Sequence, residues 1–231
     1  MFCAISKEKG IRMGLIRGGN PLYYYLKDTR LYFESINQII VQFIYLLFII
    51  IIMKPVVLLM AEHRTIERMV KLIKKESDRM KKSKTLDPEF ISASVDFFRT
   101  YADHTHHGKE EDILFAQLSA KNMSDAHRKT MAGLLDDHIK AREKVAALWD
   151  AKERYAKGDK TAVKDASSIM KDLSELYPPH IRIEDKEFFL PVMDYLTEGE
   201  QDNMLNSFND FDKKVIHDKY KAIVKALEER K

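Results

Sequence analysis

One cysteine, Cys3, is all the thiol chemistry in the 231 residues. Disulfides within the chain and thiolate metal sites are therefore excluded, and any metal must be held by nitrogen and oxygen. Glycine and proline are scarce, at 8 and 6, which disfavours an all-β fold rich in tight turns. No catalytic triad, phosphate loop or Gly-rich nucleotide fingerprint occurs. A basic patch is missing as well. The net charge is +3, but residues 1–52 carry six Lys/Arg and three Asp/Glu. Subtracting these from 39 and 36 leaves 33 of each sign in residues 53–231. A main body with balanced, mixed charge has no nucleic acid among its expected partners.

Residues 1–52 read as a different kind of sequence from the rest. They show no convincing periodicity until a nearly unbroken apolar run from Ile39 to Met53, interrupted only by Gln42. Fifteen residues fall short of the ~20 that span a bilayer, but counting through to Met60 reaches that length. Two readings stand side by side. In one, residues 36–60 tether a cytoplasmic domain to a membrane. In the other, translation starts at Met53-Lys54-Pro55, where the composition changes abruptly. The expected organisation is an N-terminal extension (1–52), a metal-binding helical domain (53–197) and a C-terminal amphipathic helix (198–231).

Within the main body, apolar residues recur every three or four positions, the period of an amphipathic helix. A first helix is predicted from about Pro55 to Met80, with Leu59, His63, Ile66, Val70 and Ile73 on one face. A second starts at Asp87-Pro88 and runs to about Ala120. A third opens at Ser124-Asp125 and runs to about Lys157, with Met131, Leu135, His138, Val145 and Trp149 on one stripe. Gly158 ends it. The fourth covers about Thr161 to Leu196, with a kink or restart expected at Pro178-Pro179. A polar segment and a lysine-rich helix from about Asp212 complete the chain. The fold class is therefore all-α.

The chemistry lies in the stretch His106-His107-Gly108-Lys109-Glu110-Glu111-Asp112. Residues four apart lie one turn apart on the same helix face, so an imidazole and a carboxylate there can reach one metal ion. The spacing recurs at His180 and Glu184, and single histidines, His63 and His138, sit on two further apolar faces. Stepping from Ile91 through Val95, Phe98 and Ala102 leads to His106 and Glu110, which makes them the core-facing pair. The same stepping places His107 and Glu111 on a solvated face. A glycine at 108 weakens the helix by up to ~1 kcal/mol relative to Ala and would permit close approach of a neighbour. His104, His127 and His217 read as surface histidines.

These residues resemble the hemerythrin-like, or HHE cation-binding, family. The matching pieces are Ala61-Glu62-His63-Arg64, HHGKEEDILF from His106 to Phe115, Leu135-Asp136-Asp137-His138, and His180-Ile181-Arg182-Ile183-Glu184-Asp185 with Phe189-Leu190-Pro191. The resemblance covers about Met53 to Leu196. It implies an antiparallel four-helix bundle around a non-haem di-iron site, with His63, His106, Glu110, His138, His180 and Glu184 as metal ligands. Manganese or zinc also suits such donors.

Two departures from the oxygen carriers of the family are visible. They have a second histidine four residues from the one on the third helix, where this chain has Leu134 or Arg142. They also place the last carboxylate five residues after its histidine, which here selects Asp185 in place of Glu184. With two imidazoles expected per metal, the resemblance implies a protein that binds O2 or NO in sensing or in protection and repair of iron centres. The alternatives are a di-iron oxidase or peroxidase, and a structural module held together by a redox-inert metal.

Overall fold

The fold was examined in a computed structural model that describes residues 54–212 and 215–230. Its elements are α1 (Val56–Ser83), α2 (Pro88–Asp96), α3 (Ala116–Ser119), α4 (Asp125–Ala156), α5 (Ala162–Ile183), α6 (Phe189–Val192), α7 (Glu198–Phe211) and α8 (Val215–Glu228). Three wider, π-helical segments continue the long helices: π1 (Phe97–His107) and π2 (Glu110–Phe115) between α2 and α3, and π3 (Glu184–Phe188) between α5 and α6. Among the described residues every element is helical. Four long rods result: α1; α2 through α3; α4; and α5 through α6.

Local sequence sets their ends. Asp87 accepts backbone N–H bonds from Glu89 and Phe90 at 3.0 Å, with Pro88 in the first turn. Ser124 accepts from the His127 N–H at 3.2 Å. These side chains satisfy donors that a helix start leaves unpaired. Gly158 takes a φ of 97° just beyond α4, a conformation that costs glycine little.

One expectation is corrected here: α5 continues through Pro178 and Pro179 as one helix, without a restart. Both prolines lie on the exposed side, where carbonyls left without a donor can be hydrated, while Leu173, Tyr177, His180 and Ile181 anchor the other side in the core. The polar segment after Gly199 is also helical, because Thr197 and Glu200 form a reciprocal capping box that starts α7.

The apolar core comes in two clusters. One contains Ile66, Ile73, Phe98, Ala102, Ala141, Val145, Tyr177 and Ile181. The other contains Leu59, Leu114, Phe115, Leu134, Phe188 and Phe189. On every rod the histidines and inward carboxylates fall between members of the two clusters. α1 packs chiefly on α5, α5 on α4, and α4 on α2.

The apolar run Ile39–Met53, with both readings attached to it, lies outside the described residues. Val56 and Leu59, counted with that run above, are fully buried core residues of α1. Among the described residues, no helix is long and apolar enough to cross a membrane.

Candidate metal centre

The winding of the second rod decides which side chains face inward. In π1 and π2 each turn takes more residues than in an α-helix, so neighbours along the chain lie closer in angle. Buried doublets follow: Phe97-Phe98, Tyr101-Ala102, His106-His107 and Leu114-Phe115. The expectation that His107 is solvated is thereby corrected, since it is 2% exposed against 1% for His106. Stepping by 3.6 residues missed it. The readable sign was the recurrence of apolar or histidine doublets at 97–98, 101–102 and 106–107, four to five residues apart.

The six expected residues, His63, His106, Glu110, His138, His180 and Glu184, lie together and are all buried. Together with His107 they form two adjoining groups. His63, His106, Glu110 and Glu184 make one, and His107, His138 and His180 the other; in each, the donor atoms lie within 4.8 Å of one another. Glu110 and Glu184 reach both. One Glu110 oxygen is 3.3 Å from His106 Nε2 and the other 3.4 Å from His138 Nε2. Glu184 Oε2 is 3.2 Å from both His63 Nε2 and His180 Nε2, while its Oε1 is 3.8 Å from His138 Nε2. His107 on the second rod thus stands with His138 and His180 as a third imidazole, while Leu134 is core.

Four of the five imidazoles bond a carboxylate through Nδ1, whereas His180 Nδ1 is buried without a hydrogen-bond partner. His63 Nδ1 bonds Asp185 at 2.7 Å, His106 Nδ1 bonds Glu62 at 2.8 Å, and His138 Nδ1 bonds Glu111 at 2.7 Å. His107 Nδ1 is 3.4 Å from Asp103, and His180 Nδ1 is 3.7 Å from Asp137. A proton fixed on Nδ1 leaves Nε2 as a lone-pair donor facing inward, the usual support for a metal-ligating histidine. Asp185 thus backs His63, and Glu184 is the one that faces the centre.

Burial sets the charges. Burial, then the neighbouring Glu184, pushes Glu110 well above the usual carboxylate range. Burial opposes ionisation of Glu184 too, but His180, His138 and His63 outweigh it and hold that carboxyl well below its usual range. Burial would lower His180, yet Glu184 and Asp137 prevail and raise it to about 9. Burial holds His106 and His107 well below the ordinary imidazole value, with His63 and His138 respectively adding to the effect.

His63 Nε2, His106 Nε2 and all four oxygens of Glu110 and Glu184 are buried without a hydrogen-bond partner. Orphaned polar atoms on this scale are rare in folded proteins, and a cation among them would satisfy all six. The donors, nitrogen and carboxylate without sulfur, suit a first-row transition metal. The family profile of the hemerythrin HHE cation-binding domain matches residues 54–190. The chain belongs to this family. Searches of curated protein sequences and of solved structures return no significant match to this hemerythrin-like chain.

Beside the three-imidazole side of the hemerythrin-like centre lies a cavity of about 230 Å³, lined by Phe98, Val145 and Tyr177 and reaching Asp103, His107 and Arg142. His217, read as a surface residue, is also corrected. It is only 22% exposed and lies 3.0 Å from Asp212 and 3.6 Å from Glu62. Helix periodicity could not place it, because its partners lie more than a hundred positions away or across a chain turn. His104 is exposed as expected, and His127 bonds the Tyr195 hydroxyl at 2.9 Å.

Proposed function

We propose that the four rods form an antiparallel four-helix bundle holding two iron ions. Antiparallel order is supported by the clusters: α1 runs from Leu59 to Ile66, the second rod from Ala102 to Leu114, α4 from Leu134 to Ala141, and α5 from Ile181 to Phe188. The direction between clusters alternates at each step. His63 and His106 would hold one ion, and His107, His138 and His180 the other, with Glu110 and Glu184 near both groups. The observation that carries this reading is the set of five buried imidazoles, four of them backed by carboxylates, around two buried, partnerless glutamates.

Bound iron supplies redox chemistry and affinity for O2 and NO. The chain's own residues prepare for it. Asp185, Glu62, Asp103 and Glu111 bond the Nδ1 atoms of His63, His106, His107 and His138, which turns those four Nε2 atoms inward. Burial and Glu184 favour the protonated form of Glu110, so metal binding there would compete with a proton. The apolar walls Phe98, Val145 and Tyr177 restrict access to small molecules. The function is binding of O2 or NO, in sensing or in protection and repair of iron centres. The test is metal analysis of protein purified without added metal, followed by spectra of the reduced protein exposed to air and to NO. About two irons per chain with a ligand-dependent charge-transfer band is the expected result. A colourless zinc protein would overturn it.

A further inference from the structure

Each carboxylate facing an imidazole is paired with a cation. Asp185 pairs with Arg64, Asp103 and Glu111 share Arg142 at 2.7 and 2.6 Å, and Asp137 pairs with Lys140 at 3.2 Å. Those three cations sit at the surface, 54%, 38% and 50% exposed. The fifth carboxylate, Glu62 behind His106, is served by Lys109, which is 0% exposed. A buried ammonium has no water to fall back on and depends wholly on its protein partners. Lys109 has two. One is Glu62, and the other is Asp212, which accepts from Nζ at 2.7 Å.

Asp212 belongs to none of the four rods. It stands just past the C-terminal end of α7 and donates its backbone N–H to Phe208. His217 on α8 lies 3.0 Å from the same carboxylate oxygen. This end of α7 docks on the ligand-bearing turn itself. A Cβ at Gly108 would lie 2.8 Å from Phe211 Cζ, so the glycine is what allows Phe211 to approach. Glu62, Asp212 and His217 have the composition of a cation site, but the Lys109 ammonium already occupies the space between the carboxylates. Alongside runs a cavity of about 590 Å³ lined by Glu62, Tyr101, Asn209, Asp212, His217 and Lys221. α7 and α8 therefore meet Glu62 through polar contacts beside open space, without close packing.

We propose that Asp212 is a positioning residue for the metal centre. Docking of α7 and α8 fixes Lys109, Lys109 fixes Glu62, and Glu62 fixes the ring of His106. The C-terminal segment thereby sets how firmly the metal on the His63–His106 side is held. The other four imidazoles draw their support from the rods alone. This inference rests on the two-metal reading above.

The test uses the full chain loaded with Zn(II) and challenged with a chromophoric chelator, for wild type, Asp212→Asn and Asp212→Glu. Wild type should release its two equivalents slowly. Asp212→Asn should speed release of one equivalent tenfold or more, the scale of losses from removing a group behind a metal ligand. Asp212→Glu, which keeps the charge, should return it to within about threefold of wild type. If Asp212→Asn does not fold, His217→Gln should accelerate the same equivalent to a smaller degree. Unchanged release in the variants overturns the inference. Equal acceleration of both equivalents without rescue by glutamate also overturns it, because that is the mark of general loosening. A wild-type protein that takes up no metal defeats the two-metal reading itself.

Discussion

The stretches 106–111 and 180–185 share one spacing, a histidine followed four residues later by a glutamate, and put it to different use. The first lies in π1 and π2 and turns two adjacent imidazoles inward with Glu110. The second leaves an α-helix at Glu184 and turns in one imidazole and one carboxylate, with Asp185 backing His63. The electrostatics divide in the same way. Glu110 is pushed up by burial and by Glu184, whereas Glu184 is held down by three imidazoles. Equal spacing in sequence therefore does not mean equal geometry. The local winding decides how many side chains share a face.

The largest expected effect is on the doublet. His107→Ala should cost at least one of the two metal equivalents, as should His106→Ala, read by elemental analysis after identical purification. A His107→Ala protein with a full metal load would mean that only one member of the doublet serves the centre. In the second stretch the contrast should be graded. Glu184→Gln should abolish stable loading, whereas Asp185→Asn should weaken binding about 10–100-fold. Equal losses in the two would place both carboxylates on the metals.

The next contrast is one of pH. In metal-free protein the folded pKa of His180 lies above its unfolded value, so its contribution is complete below about 6.5 and lost as pH rises through about 9. That contribution is on the order of 3 kcal/mol. His106 and His107, held low by burial, act in the opposite sense and destabilise the fold as pH falls below about 6.5. In thermal unfolding of the apo-protein, His180→Gln should therefore lessen the loss of stability between about pH 6.5 and 9. A wild-type alkaline side already flat between pH 6.5 and 9 would contradict the raised His180.

The smallest contrast concerns glycine. Gly133 in α4 has open space where a Cβ would go, so Gly133→Ala should stabilise by up to ~1 kcal/mol. Gly108→Ala should not, because Phe211 would have to move first. Chemical denaturation of the two variants reads this directly, and an equal gain at Gly108 would show that Phe211 yields freely.

Helical phase, capping residues and Gly158 were legible in the sequence because each acts over one or two turns. Phase also leads to the convergence of His63, His106, Glu110, His138, His180 and Glu184. What could not be read that way has a common cause. His107, the unbroken α5 through Pro178-Pro179, and the inward turn of His217 all depend on packing that overrides local propensity. A fixed period of 3.6 residues drifts out of register across the eleven residues of π1. Two prolines forecast a break, but tertiary burial of Tyr177 and Ile181 outweighs it.

The polar layer between the two apolar clusters has a further consequence for folding. Apolar side chains tolerate sliding, and a rod of leucines displaced by one turn still finds hydrophobic partners. Seven buried imidazoles and carboxylates do not. A one-turn slip of any rod would set a histidine against leucine or phenylalanine and strand its partners in the core, a heavy cost in such surroundings. Only one mutual alignment of the four rods lets His63, the 106–110 turn, His138 and the 180–184 turn meet at a single level. The centre thus acts as a notch that locks the assembly in one vertical setting, and it selects the native alignment on the same donor atoms that could hold a metal.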